Sequence, residues 1–378
     1  MITIQSLFAR GHRHLCLFLL MTVTVVSSVA CAASDNKPGP KEERWSRQKS
    51  WEWFKDQRWL VGFNYIPANA INTTEMWQKE TFDPVTIDRE LTLAEDVGLN
   101  WARVFLQYMV WENDPEGLKQ RVDTFLAIAT KHGIKTMFVL FDDCAFGTMT
   151  ELFLGKQPDV VPGEYASGWT PSLGPSRVVN RKAWPKLQSY VSDLISRFRS
   201  DRRVLAWDLY NEPGNTDMGN KTLPLLRSVF VWAREAAPTQ PLTAGSWSEL
   251  RDIYAVTLAQ SDVISFHEYG RPDAMRREIA ALRTNGRPLI CTEWMNRPAG
   301  STITHILPIL YQDRVGSIFW GLVNGKTQTN YHWGTKAGSP PPRVWQHDIF
   351  HVDLTPYDQN EIDLLKKYIR MGTSAGER

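Results

Sequence analysis

The chain alternates short, predominantly apolar runs with longer stretches in which apolar positions recur every three or four residues. Eight runs stand out: "LVGFNYI" (60–66), "NWARVFL" (100–106), "IKTMFVLF" (134–141), "VLAWDLYN" (204–211), "PLTAGSW" (241–247), "DVISFHEY" (262–269), "RPLICTEW" (287–294) and "VGSIFWG" (315–321). Runs that are apolar at successive rather than alternate positions suit parallel strands covered by helices. The stretches between them read as helices. "EGLKQRVDTFLAIATKHG", for example, sets Leu118, Val122, Phe125, Leu126 and Ile128 near one face before Gly133 ends it. With "NEIDLLKKYIRM" near the end, eight helical stretches accompany eight strands, which predicts an α/β fold, a single (β/α)8 TIM barrel spanning 45–378. A doubly wound open sheet is the competing architecture. It calls for a Gly-rich loop after the first strand, and "NYIPANAIN" is nothing like one.

Two connections are long, 142–181 after strand three and 322–345 after strand eight. Both follow strand C-termini, where barrel enzymes build their sites. At the other end of the chain, Arg10, His12, Arg13 and His14 precede an apolar run over 15–26 and the small residues Ala30, Cys31 and Ala32. This pattern predicts a secretory signal over 1–32, cleaved near Ala32, and an exported protein, periplasmic or secreted. A lipoprotein anchored through Cys31 is the alternative, and Ser28 suits it poorly. The polar, Pro/Gly-bearing 33–44 reads as a flexible leader.

Composition narrows the function classes. With 43% hydrophobic residues the chain has material for a sizeable core. The net charge is +2, and the first 32 residues hold Arg10 and Arg13 and no acid, so the remainder is neutral. Neither nucleic acid nor an anionic membrane is expected as a partner. Of four cysteines only Cys144 and Cys291 lie clear of the signal; they read as buried free thiols. The histidines are scattered, and His347 and His351 in "WQHDIFHVD" lack a third ligand, so no metal and no cofactor is expected. The chain is expected to act as a monomer.

Placing the strands gathers polar residues at their C-terminal ends: Arg103 in strand two, Asp142 and Asp143 after three, Asn211 and Glu212 after four, and Trp247 after five. His267 and Tyr269 follow strand six, Glu293 ends seven and Trp320 ends eight. Two carboxyls on one rim suit glycosidic bond cleavage, in which one must donate a proton while the other stays ionised. Arg103 and the Tyr269 hydroxyl are placed to stabilise an ionised Glu293. The chain has 16 tryptophans, and indole faces stack on sugar rings. Trp320 and Trp247 are assigned to the site, with Trp169, Trp333 and Trp111 as loop candidates and Asn64 and Gln328 as further ones.

"WDLYNEP" (207–213) and "CTEW" (291–294), with a His-x-Tyr between them, resemble the strand-four and strand-seven motifs of clan A glycoside hydrolases, most nearly family 5 with its cellulases and mannanases. The resemblance covers nearly all of 59–371. It implies a retaining β-glycanase or β-glycosidase acting on oligo- or polysaccharide, with Glu212 as acid/base and Glu293 as nucleophile. It further implies that Asn211 meets the sugar 2-hydroxyl and that Tyr269 and Arg103 hold the nucleophile. His267 would stand near the acid/base, and Trp320 would floor the reactive sugar's subsite. The family commonly has a histidine after strand three. Here the chain reads "LFDDCAF", which makes Asp142 and Asp143 candidate substrate contacts. The alternatives are a barrel that binds saccharide without cleaving it, and a transglycosylase using the same residues.

Overall fold

A computed structural model describes residues 43–146, 152–247 and 250–374. The expected signal, Cys31 and nearly all of the leader lie outside the described residues. Arg44, assigned to the leader, is instead pinned, its guanidinium donating to the carbonyls of Leu258 and Ser261 at 2.6 and 2.8 Å.

All eight expected strands are present, each ending within two residues of the expected boundary: β1 (Val61–Tyr65), β2 (Trp101–Phe105), β3 (Lys135–Asp142), β4 (Val204–Asn211), β5 (Leu242–Gly245), β6 (Ile264–His267), β7 (Leu289–Glu293) and β8 (Gly316–Trp320). They pair in parallel in the order β5-β4-β3-β2-β1-β8-β7-β6. A bridge from Ser246 to Phe266 closes β5 against β6, and the amides of Asp262 and His267 donate to the carbonyls of Leu242 and Ser246. Among the described residues no strand is left with a free edge for another chain to extend, which is the usual benefit of closure.

Helices follow the strands: α1 (Arg47–Lys55) precedes β1; α2 (Thr73–Trp77) and α3 (Pro84–Val97) follow β1; α4 (Tyr108–Asn113) and α5 (Pro115–Lys131) follow β2; α6 (Pro175–Val179) and α7 (Trp184–Phe198) follow β3. Then come α8 (Leu223–Glu235), α9 (Arg251–Gln260), α10 (Pro272–Arg283), α11 (Ile303–Gln312) and, after β8, α12 (Gln359–Ser374). Local chemistry sets their ends. Asp83 and Asp114 cap the amides of α3 and α5, each followed by proline in the first turn. Gly98 takes a left-handed φ of 91° to end α3. In α7, Leu187, Tyr190, Val191, Leu194, Ile195 and Phe198 form the buried stripe.

The core has two layers because inward and outward positions alternate. Trp101, Met137, Ala206, Ile290 and Ile318 fill the barrel's interior. Ala102, Val104, Phe138, Leu140, Trp207 and Leu209 pack instead toward the helices. Trp53 and Phe54 of α1 close against the interior cluster, and Arg287 ties this entry segment to the sheet through Ser50 Oγ and the carbonyls of Trp45 and Asp262. α1 covers that end, and the polar residues at the strand C-termini face the long loops after β3 and β8.

Candidate active site

The site begins with a break in the regularity of β4. Its pairing with β5 shifts register between Asp208 and Asn211. Strict alternation would point Asp208 and Tyr210 the same way. Instead Asp208 points inward to Arg103, Tyr210 packs outward in the helix layer, and Asn211 points inward again. Glu212 follows with φ of 44°, a left-handed conformation that non-glycine residues seldom adopt. The irregularity and the turn bring Asn211 and Glu212 to one rim. The Glu212 amide donates to the carbonyl of Gly245. A side chain at Gly245 would lie 2.9 Å from His267 Nε2 and 3.4 Å from both Arg103 Nη2 and Asp208 Oδ2, so β5 ends in glycine where these three polar groups need room.

Beneath the rim lies Arg103, fully buried. Its Nε and Nη2 donate to Asp208 Oδ2 at 3.0 and 2.7 Å; Nη2 also donates to Asn211 Oδ1 at 2.6 Å, and Nη1 to Asn64 Oδ1 and Glu293 Oε1 at 2.8 and 2.7 Å. One guanidinium thus fixes β1, β4 and β7 against one another. Tyr269 donates its hydroxyl to the other oxygen of Glu293 at 2.8 Å. His267 Nδ1 lies 2.8 Å from Glu212 Oε1 and 3.5 Å from Glu293 Oε2. Asn215 Nδ2 donates to Glu212 Oε2 at 2.6 Å.

Burial, the largest influence, raises both carboxyls above their ordinary pKa values. The opposing forces differ. Glu293 has the Arg103 cation and the Tyr269 hydroxyl in direct contact, whereas Glu212 has the Asn215 amide and the Cys144 thiol, with Arg103 acting from further away. Glu293 is the better-stabilised anion. Burial pushes His267 down to about 4, so at neutral pH it is uncharged and its contact with Glu212 is a hydrogen bond rather than an ion pair. Its Nδ1 faces two carboxyl oxygens, and its Nε2 has no hydrogen-bond partner among the described residues, which places the single ring proton on Nδ1, donating to Glu212.

Glu212, Asn211, His267, Tyr269, Glu293, Trp247 and Trp320 all line one pocket of about 430 Å³, a volume typical of small-molecule sites at roughly 300–1,000 Å³. Asn211 Nδ2 spends one hydrogen on Asp142 Oδ1 at 2.9 Å and keeps a second for a ligand. Four expected contacts fall elsewhere. Asn64 lies beneath the pocket, donating to the carbonyls of Thr292 and Phe319, and Arg103 acts through Glu293 and Asn211. Asp142 accepts from Asn211, Trp169 Nε1 and the Cys144 amide. Asp143 accepts from Tyr210, the Gly214 amide and Thr222, staking down the turn that carries Glu212. Its pKa rises to about 6 by burial. Both acids are buried, with their oxygens held by scaffold donors, and neither is among the residues lining the pocket.

Trp169 and Trp333 do line the pocket. Trp111 does not; it is buried and donates to Asp193. Gln328 ties two loops together, as described below. Residues that sequence reasoning missed include Asn215, three positions after Glu212, and Cys144, whose thiol sits beside Glu212 in the pocket wall rather than in the core. Cys291 is buried as expected. His347 is the less legible case. Its Nδ1 donates to the carbonyl of Met295 at 2.6 Å, and its ring packs on Tyr165, Tyr269, Trp320 and Trp333. Burial lowers its pKa to about 3, so it is a neutral prop for the aromatic wall. Among the described residues, Glu212, His267 and Glu293 are the one group of ligand atoms, within 4.8 Å of one another, suited in spacing to a metal. Arg103 already supplies positive charge to Glu293, which disfavours a second cation there.

Solved structures share this fold at low identity. The endo-β-1,4-mannanase of Thermotoga petrophila superposes with a TM-score of 0.56 at 14% identity, over 85% of this chain and 78% of that one. The exo-β-1,4-mannosidase Op5Man5 of Opitutaceae bacterium strain TAV5 gives 0.59 at 16%, over 84% and 60%. A GH5_18 enzyme of Streptomyces cattleya in complex with Manb1-4GlcNAc gives 0.58 at 11%, over 82% and 80%. At these identities the likeness is one of fold. A comparison with curated proteins finds no match. The sequence profile of the cellulases, glycosyl hydrolase family 5, matches residues 61–326, which includes both rim glutamates and every strand. The chain is a glycoside hydrolase and belongs to family 5.

Proposed function

We propose that the protein hydrolyses β-linked oligo- or polysaccharide with retention of configuration, Glu293 attacking and Glu212 serving as acid then base. One observation carries this: the Glu212 and Glu293 carboxyls are bridged by a single ring nitrogen of His267, with ligand oxygens within 4.8 Å. Retaining enzymes hold their carboxyls roughly 5–5.5 Å apart, whereas inverting enzymes leave roughly 6.5–9.5 Å for a water.

In the first step a Glu293 oxygen bonds to the anomeric carbon as the bond to the leaving oxygen breaks and Glu212 gives that oxygen its proton. Ionised Glu293 beside it helps Glu212 hold that proton beforehand. Once Glu293 is an ester its charge is gone, so Glu212 becomes the stronger acid and persists as a carboxylate. It then takes a proton from the water that attacks the anomeric carbon, and Glu293 leaves as carboxylate. His267, neutral and donating, orients Glu212 without competing for the proton.

The test is hydrolysis of a panel of β-linked polysaccharides, oligosaccharides and aryl glycosides by wild type, Glu212→Ala and Glu293→Ala, with the product anomer followed by NMR. Activity surviving unchanged in both variants, or inversion at the anomeric carbon, defeats the proposal. An activated fluoro-sugar should label Glu293; a label on Glu212 reverses the two roles, and a label on Asp142 or Asp143 defeats the assignment of the nucleophile. The basic and then apolar N-terminus supports export, and N-terminal sequencing of protein from the periplasm or medium should start just after Ala32.

A further inference from the structure

The two long loops are not independent flaps. Gln328, in the loop after β8, donates through Nε2 to the carbonyls of Val161 and Glu164 at 2.7 and 2.9 Å and accepts from the Gly163 amide at 3.0 Å. The Ala166 amide donates to the Thr327 carbonyl at 2.9 Å, the Tyr165 amide to Thr335 Oγ1 at 3.1 Å, and the Gly338 amide to the Pro162 carbonyl at 2.8 Å. The loop after β1 joins them, Asn72 Nδ2 donating to Gln157 Oε1 and the Gly168 carbonyl at 2.9 and 3.0 Å. Behind these stitches Tyr165 and Trp169 are buried, and they line the pocket together with Phe146, Trp320 and Trp333.

The two ends of the pocket differ. Glu293 has Tyr269 on one oxygen, and Tyr269 packs edge-on against Trp333 with a ring separation of 4.9 Å; this is the stitched, aromatic side. Glu212 has Asn215 on one oxygen, and Asn215 and Trp247 also line a second, more open hollow of about 540 Å³ with Gly214, Thr216 and Asp217. Trp247 and Trp333 are comparably exposed, at 41% and 43%, so the two sides are distinguished by the hydrogen bonds that hold the loops over buried Tyr165 and Trp169. The roles proposed above orient a substrate here. The attacked carbon lies over Glu293, and the leaving oxygen faces Glu212, so the departing portion extends toward Asn215 and Trp247.

We infer that the pocket is one-ended: the knitted loops seal the side beyond the attacked sugar, and among the described residues the side beyond Glu212 is open, with Trp247 as its platform. The enzyme then removes a single sugar from the non-reducing end of a β-linked chain and takes an oligosaccharide as the remainder. This rests on the proposed roles of Glu212 and Glu293.

The test uses gluco- and manno-oligosaccharides labelled at the reducing end, each with its non-reducing terminal sugar free or capped by a 4-O-methyl group. With wild type, labelled products should shorten one unit at a time with monosaccharide released from the start, and the capped series should not be cut. Cleavage of capped chains, or mid-chain products at early times, overturns the inference. Binding is measured in parallel by calorimetry with Glu293→Gln: uncapped chains should bind and capped ones should not, and equal binding of both overturns the inference even without turnover. End-selective binding combined with no hydrolysis by wild type defeats the hydrolytic proposal while leaving the one-ended pocket intact. Gln328→Ala, which removes three of the stitches without touching the carboxyls, should narrow the difference between capped and uncapped chains. An unchanged ratio in a folded variant counts against the stitched loops as the seal.

Discussion

Removing Arg103 puts the electrostatic argument to its hardest test. The guanidinium is fully buried and makes five hydrogen bonds, two to Asp208 and one each to Glu293, Asn211 and Asn64. Arg103→Met leaves Asp208 and Glu293 buried without a cation. Taking one partner from a buried pair costs about 3–5 kcal/mol, which for a domain of this size lowers Tm by on the order of 10 °C. Arg103→Lys keeps the charge but has three donors in place of the planar fork, so it retains part of the stability. The second readout is the pH profile of kcat/KM on an aryl β-glycoside. Activity needs Glu293 ionised and fails as pH falls through its pKa. An adjacent arginine holds a carboxyl down by roughly 1–3 units, so the acid limb should move up by that amount in Arg103→Met and by less in Arg103→Lys. Arg103 also lowers Glu212 from a distance, so the alkaline limb should shift upward too, by a smaller step. A variant that melts cooperatively yet keeps the wild-type acid limb would falsify the role given to Arg103.

Tyr269→Phe deletes one hydrogen bond to a charged oxygen, so kcat/KM should fall roughly 10- to 100-fold, with a stability loss of about 1–3 kcal/mol from the stranded carboxyl oxygen; unaltered turnover sinks the assignment. Asp143→Ala strands the Tyr210, Gly214 and Thr222 donors, each lost bond costing about 1–3 kcal/mol. Calorimetry should register lost stability, while KM among the remaining folded molecules stays near wild type; a large KM rise with normal stability would return Asp143 to the substrate. Glu90, buried beside Tyr65 and the Ala68 amide, has its pKa raised to about 7 from an ordinary 4.5. The native state therefore keeps a proton that the unfolded chain has released, and stability falls as pH rises from about 4.5 to about 7, by about 3 kcal/mol from this group. Melts between pH 4.5 and 8 should show a shallower decline for Glu90→Gln, and parallel curves for the two proteins rule the mechanism out.

Much of the molecule is written in local patterns. Eight mostly apolar runs, apolar at successive positions, are satisfied by burial on both faces, and the intervening stripes at helical spacing supply the cover; closure into a barrel follows from the count. The same placement put Glu212, His267, Tyr269, Glu293, Trp247 and Trp320 around one pocket, because strand C-termini share a rim whatever the details of packing. Caps such as Asp83-Pro84 and Asp114-Pro115 are equally local.

The tertiary structure decided what depends on direction rather than position. Asp142, Asp143 and Asn64 sit at strand ends like the others, yet their side chains turn into the scaffold, where buried donors claim every acceptor. Cys144 reads as a core thiol and sits in the pocket wall, because the chain leaves the strand just before it. His347 lies 54 residues beyond Glu293 in the sequence, and only the return of the last loop brings it behind Tyr269 and Trp333. Strand alternation would point Asn211 and Glu212 to opposite faces; the register shift and the left-handed Glu212 bring both to one site, and β3, β5 and Arg103 hold that bend in place. Periodicity specifies which face of an element is buried. It does not specify which neighbour each polar group will find, since those partners come from strands and loops scattered along the chain.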